Sequence, residues 1–315
     1  MFIQKVASTF WHEALEEWPP HRPLPPAFKV QNSNAPLYLL AGPTASGKSA
    51  RALAWAETTG GAILNADSMQ LYRDVPILTA RPDAADLGCA EHVLYGHLEP
   101  QALWSAGDWL RAARPYIDAA LAGGRPLCVT GGTGLYFNAL VHGLAEIPEI
   151  GETPRRQARQ LYGEIGEAAF RAVLQRHDPA AAARISPNDA QRLTRAYEVY
   201  LATGRPLTHW QGETRPGLDA DVYRLDILTP DRAWLYARCD ARLQAMLDHG
   251  ALDEVASLMT RGLDDGWPVM RVLGLREFAA HLRGEMGLDD ALALARQRTR
   301  NYAKRQMTWF RNQLA

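Results

Sequence analysis

The stretch Gly42-Pro43-Thr44-Ala45-Ser46-Gly47-Lys48-Ser49 constrains this chain more than any other. An apolar run, Leu37-Tyr38-Leu39-Leu40, precedes it, and a helix-forming segment, Ala50 to Thr58, follows. Strand, glycine-bearing loop and helix in that order match the P-loop pattern, G-x-x-x-x-G-K-[ST]. Small residues let successive backbone N–H groups turn inward around phosphate oxygens, and the helix N-terminus adds positive potential. Lys48 supplies a point charge for the far phosphates, and the Ser49 hydroxyl can ligate Mg²⁺. A chain built this way grips a di- or triphosphate.

From Leu37 onward strands and helices alternate. Ala62-Ile63-Leu64-Asn65 reads as a short strand ending in Ala66-Asp67-Ser68-Met69-Gln70, and Glu91 to His97 as another. Ser105 opens a helix with Asp108 three residues on, a variant of the capping box, and Gly123-Gly124 closes it. Pro126 to Thr130 is a buried-type strand running into Gly131-Gly132-Thr133-Gly134. Tyr223 to Leu228 alternates like a last strand, and Thr229-Pro230 is placed to cap a long helix. The pattern predicts a P-loop-type α/β fold, a doubly wound parallel sheet flanked by helices. Ligands of such sheets sit beyond the carboxyl ends of the strands, so the P-loop, Asp67 and the Gly131–Gly134 turn are expected around one crevice.

Two segments differ. Residues 148–217 are Ala- and Arg-rich with helical spacing, which predicts an all-helical insertion between core segments 37–147 and 218–315. Within it Ser186-Pro187-Asn188-Asp189 starts a helix bearing Gln191, Arg192 and Arg195. Residues 1–36 hold Pro19, Pro20, Pro23, Pro25, Pro26 and Pro36, which block helix and sheet interior alike. They read as an extended or disordered leader, with a short amphipathic helix over Phe10 to Trp18.

The formal net charge of −1 points to no partner, so a nucleic-acid contact requires locally concentrated positive charge. The C-terminal helix, from about Ala291, provides it. Arg296, Arg298, Arg300, Lys304, Arg305 and Arg311 lie there with no carboxylate between them, and Trp309 and Phe310 are interleaved. Cys89, Cys128 and Cys239 are far apart with no C-x-x-C, which argues for a reduced compartment and against structural zinc. No apolar run approaches the ~18 residues of a membrane span. Signal-peptide features are missing and Glu13, Glu16 and Glu17 fit a transit peptide poorly, so the expected location is the cytosol.

A P-loop alone leaves the chemistry open. The strand Leu127–Thr130 ends in glycines, without the Mg²⁺-binding aspartate of a GTPase or motor. A small-molecule kinase remains possible, with Asp67 deprotonating a hydroxyl under an arginine lid. By position Asp67 is a Mg²⁺ partner, a general base or an N-cap, and Thr133 a phosphate donor or turn former.

Five segments appear in order: Gly42–Ser49, Asp67-Ser68-Met69-Gln70-Leu71-Tyr72-Arg73, Gly131-Gly132-Thr133-Gly134-Leu135-Tyr136, Asn188-Asp189-Ala190-Gln191-Arg192-Leu193-Thr194-Arg195, and Ala303-Lys304-Arg305-Gln306-Met307-Thr308-Trp309-Phe310-Arg311. Together they resemble the tRNA dimethylallyltransferase family, from about Pro36 to the C-terminus. The resemblance implies transfer of the dimethylallyl group of dimethylallyl diphosphate to N6 of adenosine-37 in tRNAs reading codons that start with U. It implies the P-loop as holder of the leaving diphosphate with Mg²⁺ on Ser49, and Asp67 as the base that deprotonates the amine. It further implies Thr133 as a channel residue and Arg271, in Val269-Met270-Arg271-Val272-Leu273-Gly274, as part of the diphosphate clamp. Contacts to the anticodon stem-loop are implied for Asp67, Ser68, Met69, Gln70, Thr133, Arg155, Gln191, Arg192, Leu193, Thr194, Arg195, Arg271 and Arg276. The basic C-terminal helix would track the phosphates of the stem. Leu275 departs from the family pattern, where a tyrosine is common, and the Pro-rich leader has no counterpart there. A monomer suffices for all of this.

Overall fold

The computed structural model describes residues 35–214 and 216–314. The expectations for residues 1–34, including the helix over Phe10 to Trp18, fall outside them. The described chain divides into two compact units, one running to Val141 and resuming at Leu218, the other His142–Gly217.

In the first unit β1 (Leu37–Ala41) is buried at every position, as befits a strand covered on both faces. With β2 (Ala62–Asn65), β3 (His92–Val93), β4 (Leu127–Gly131) and β5 (Tyr223–Ile227) it forms a parallel sheet in the order β3-β2-β4-β1-β5. The helix-flanked parallel sheet predicted from the alternation is therefore present. Helix α1 (Lys48–Thr59) lays Ala52 and Ala56 on Tyr38, Leu40, Ile63 and Cys128. After the short α2 (Ala84–Cys89), helix α3 (Ala106–Leu121) packs on β1 and β4 with Trp109 fully buried. Its N-terminus carries the Ser105–Asp108 capping box read from the sequence. No helix among the described residues is long and apolar enough to cross a membrane.

Some boundaries move. The strand expected over Glu91 to His97 shrinks to two residues, because Leu94 at φ 61 and Gly96 at φ 57 turn the chain out of the sheet. Helix α9 (Arg232–Asp248), beyond β5, is capped by Asp231, which accepts Trp234 N–H at 3.0 Å, rather than by Thr229-Pro230. Then follow α10 (Ala251–Thr260), a 3₁₀ turn (Pro268–Arg271), α11 (Leu275–Leu282) and α12 (Leu288–Gln313). The last begins ahead of Ala291 and packs on both α9 and α11.

Helix α4 (Gly134–His142) leads out of the first unit. The second is helical: α5 (Glu152–His177), α6 (Pro179–Arg184), α7 (Ala190–Thr203) and α8 (Leu207–Gly212). Its core gathers Phe170, Leu174, Ala181, Leu193 and Ala196. Gly166, at φ 72, bends α5. Buried Asp178 holds the unit's far end by accepting Ala181 N–H at 3.0 Å and the Thr208 hydroxyl at 2.8 Å.

Candidate active site

Sheet order places the site. Because β4 lies between β1 and β2, the Gly131–Gly134 turn that follows it stands between the P-loop after β1 and the Asp67 loop after β2.

The P-loop turns through Ala45 at φ 62 and Gly47 at φ 87. No side chain caps α1, so its first-turn N–H groups point into the loop without an intrahelical partner. The Ser46 hydroxyl is buried and has no hydrogen-bond partner among the described residues. Lys48 Nζ donates to Pro43 O at 3.2 Å. Burial of the ammonium pulls Lys48 down to about 8, helped by Arg242, while the field of Asp67 opposes the shift. The loop is braced from outside by α9 and α12. Arg242 donates to the Thr44 hydroxyl and Arg238 Nε to Ala45 O at 3.1 Å. Gln306 Oε1 accepts Thr44 N–H at 2.8 Å. Burial also pulls the Arg242 guanidinium down from its ordinary range, and Asp67 is among the groups that push back.

On the opposite wall fully buried Asn65 organises the Asp67 loop. Its Oδ1 accepts Asp67 N–H at 2.8 Å, and its Nδ2 donates to Asp67 O at 3.0 Å and Leu94 O at 2.9 Å. Asp67 Oδ1 accepts Met69 N–H at 3.0 Å. No helix follows Asp67, so the capping alternative reduces to a local turn. Thr133 Oγ1 accepts Ser68 N–H at 2.9 Å and donates to Ser68 Oγ at 3.2 Å. A Cβ on Gly132 would stand 2.3 Å from Gln306 Nε2 and 3.1 Å from Asp67 Oδ2, so a side chain here would have to displace the Gln306 amide. One on Gly134 would enter the Trp309 ring at 2.1 Å. Tyr95, Tyr136 and Tyr302 are pushed well above the usual phenol range, chiefly by burial and further by Asp67. They stay protonated, and the field of the same carboxylate also reaches Lys48 and Arg242.

The chain that carries this site is similar to known proteins. The family model "IPP transferase" matches residues 70–313, and "Isopentenyl transferase" matches 35–95. A Caulobacter protein named tRNA dimethylallyltransferase is 54% identical over 277 residues, 88% of this chain and 90% of its own. One from Phenylobacterium zucineum with the same name is 53% identical, covering 89% and 90%. This chain belongs to the IPP transferase family. Solved structures agree. The tRNA isopentenylpyrophosphate transferase of Bacillus halodurans superimposes with a TM-score of 0.61 at 33% identity, over 88% of this chain and 87% of that one. A eukaryotic dimethylallyltransferase described as acting on tRNA gives 0.75 at 26% identity, over 87% and 69%. The kinase reading finds no support in these likenesses.

Other residues singled out by the family resemblance are distributed unevenly. Arg271 is exposed, and its charge acts on Tyr72, in the loop that follows Asp67. The guanidinium seen to hydrogen-bond the P-loop is that of Arg242, on the Thr44 hydroxyl. Helix α9, which follows the strand beside β1, carries Arg242 to the loop, and Arg271 ends the 3₁₀ turn. Arg276 spends its donors on Met270 O at 3.0 Å and Asp265 O at 2.9 Å, holding that turn. Leu275 is fully buried. Gln70 donates to Thr79 O and Ala80 O, both at 2.9 Å, so its amide is a loop strut.

In the helical unit Gln191 and Arg192 are exposed, and Arg155 and Arg195 are partly so. Arg195 faces Glu198 and Arg192 faces Asp189, each at 3.5 Å. Thr194 turns its hydroxyl back to Ala190 O at 2.8 Å. Leu193 is fully buried among the apolar residues of the unit, so its side chain packs the core rather than the surface. The period of α7 explains it, since Leu193 and Ala196 face inward together.

The basic C-terminal helix is less free than its composition suggests. Arg298 pairs with buried Glu277, and Arg300 with Asp240 at 2.6 Å. Arg296 donates to Gln244 at 3.0 Å. The helix's own carboxylates, Asp289 and Asp290, lie in its first turn, and the partners of Arg298 and Arg300 come from α11 and α9. Lys304, Arg305 and Arg311 remain exposed, the first two beside Asn301, Thr308 and Trp309 along a surface groove of about 480 Å³.

Sequence reasoning missed Asn65, Arg238, Arg242 and Gln306 as site residues. The i,i+4 spacing of Arg238 and Arg242 was the available signal, since it puts both on one helix face.

Proposed function

We propose that this chain transfers the dimethylallyl group of dimethylallyl diphosphate to N6 of adenosine-37, in tRNAs reading codons that start with U. The observation that carries this is Asp67 facing the braced P-loop across Gly132 in a chain of the IPP transferase family. The allylic C–O bond breaks with its electron pair leaving on diphosphate. Loop N–H groups, the Ser46 hydroxyl, Lys48 and Arg242 are aimed where that charge grows, which lowers the barrier. The new C–N bond forms as Asp67 accepts a proton from N6, an amine otherwise poorly nucleophilic because its lone pair is delocalised.

Mg²⁺ fits the same end of the site. The exposed Ser49 hydroxyl would hold it, and no His, Cys, Asp and Glu cluster among the described residues competes. A hard cation bound chiefly through substrate oxygens suits so sparse a donor set. When bound, it neutralises charge on the departing diphosphate.

On the RNA side, the target base leaves its stack to reach Asp67 and Thr133. Ser68, Met69, Arg155, Gln191, Arg192, Thr194, Arg195 and Arg271 contact the anticodon loop, and Lys304, Arg305 and Arg311 the phosphates of the stem. The enzyme works as a monomer in the cytosol.

The test is incubation with radiolabelled dimethylallyl diphosphate, Mg²⁺ and unmodified tRNA. Label appears in RNA with an A36-A37 anticodon loop and not when A37 is replaced. No label in the first RNA sinks the proposal.

A further inference from the structure

Gln306 is 5% exposed and joins two segments remote from it in sequence. Its Oε1 accepts the Thr44 N–H at 2.8 Å, and its Nε2 donates to the Gly132 carbonyl at 2.8 Å. The partners fix the amide's orientation, since an N–H requires the oxygen and a carbonyl the nitrogen. Tyr302, one turn earlier on α12, hydrogen-bonds the same side chain. At the strand ends Gly42 N–H still reaches Gly131 O, but at 3.4 Å. Beyond that point the link between phosphate loop and turn runs through Gln306.

We infer that Gln306 is a positioning residue: it sets the diphosphate loop against the wall that carries Asp67, and so fixes the distance over which the prenyl carbon meets the acceptor amine. The inference rests on the transfer reaction proposed above. The donor is gripped on the Thr44 side of this bridge. The acceptor's base, Asp67, lies on the Gly132 side. A small error in their separation is felt as rate, because only reactants held close to the attack geometry react efficiently. A glutamine does this where a charged residue would not. It donates and accepts at once, and it adds no charge beside Lys48, Arg242 and Asp67.

The test compares wild type with Gln306→Met, which keeps volume and removes both hydrogen bonds. Transfer is measured at saturating dimethylallyl diphosphate, Mg²⁺ and unmodified tRNA, per molecule of folded enzyme. Positioning predicts that kcat falls about tenfold or more, as expected for a lost buried hydrogen-bonding bridge. Both KM values stay within about threefold, because each substrate keeps its own contacts. A rise in the tRNA KM alone would make Gln306 an RNA contact and overturn the inference. So would an unchanged kcat per folded molecule with a lower melting temperature, the mark of a merely structural residue.

Gln306→Glu serves as the second variant. Ionised, it still accepts from Thr44 but cannot donate to Gly132. Arg242 on Thr44, Lys48 on Pro43 O, Tyr302 on its own helix and Asp67 beyond Gly132 are the polar groups around it. Its kcat relative to wild type at the same pH rises as pH falls, because the protonated carboxyl regains the donor. A ratio flat between pH 8 and pH 6 overturns the inference. A wild type that transfers nothing sinks the reaction itself, and this inference with it.

Discussion

Asp67 accepts the Met69 N–H on Oδ1 at 3.0 Å, while its Oδ2 lies toward Gly132. One oxygen shapes the loop and the other faces the crevice. Holding and reacting are thereby divided within a single carboxylate, and they can be separated by mutation. Asp67→Asn keeps an acceptor for Met69 and loses the base. Its kcat falls about 10²- to 10⁴-fold, the range for a lost general base, with melting temperature and tRNA affinity near wild type. Parallel loss of tRNA binding would make the carboxylate structural.

Lys48 is held down to about 8 in the ligand-free protein, mainly by burial. Donor affinity therefore weakens as pH rises above 8, by about tenfold per unit where one proton is required. Stability runs the opposite way. The folded value lies below the ordinary 10.5, so the folded state releases this proton first. The ammonium is a full liability below about 8, and the liability fades between there and 10.5. Lys48→Met accordingly raises the melting temperature of the ligand-free protein at pH 7 while abolishing its stabilisation by pyrophosphate. A lower melting temperature would refute the burial argument.

Arg242 and Arg271 separate by substrate. Arg242→Met removes a half-buried cation from beside the P-loop and lowers kcat/KM for the donor about 10²- to 10³-fold, comparable to removing an oxyanion-stabilising donor. Arg271→Met acts on the tRNA KM and leaves pyrophosphate binding unchanged. Equal effects of both on pyrophosphate binding, measured by calorimetry, would return Arg271 to the clamp.

The C-terminal helix offers a test within one element. Lys304→Ala with Arg305→Ala reduces the slope of log affinity for tRNA against log salt by about 1 to 2, and leaves stability alone. Arg298→Met does the reverse. It strands the buried Glu277 carboxylate and costs about 1–3 kcal/mol in denaturant unfolding, with the salt slope unchanged. If Arg298→Met alters the slope and the double variant does not, the exposed stripe is not the RNA face.

Local patterns determined much of this protein. The P-loop, the alternation that makes a parallel sheet, the Ser105 capping box and the family segments are all set by near-neighbour chemistry: residue size, periodicity and turn geometry. Sheet order was implied only as a crevice at the strand ends. That β4 separates β1 from β2, and so sets Gly132 between Thr44 and Asp67, was decided by the fold. So was the approach of Arg242 to Thr44, because which helix follows the strand beside β1 in space is not written in the arginine's neighbours. The same holds for α12. Six basic residues with no carboxylate among them looked like one charged face, until Glu277 and Asp240 arrived from other helices to occupy two of them. Coulombic partners and buried hydrogen bonds act over a few ångströms of space, and only tertiary packing brings residues far apart in the sequence within that range.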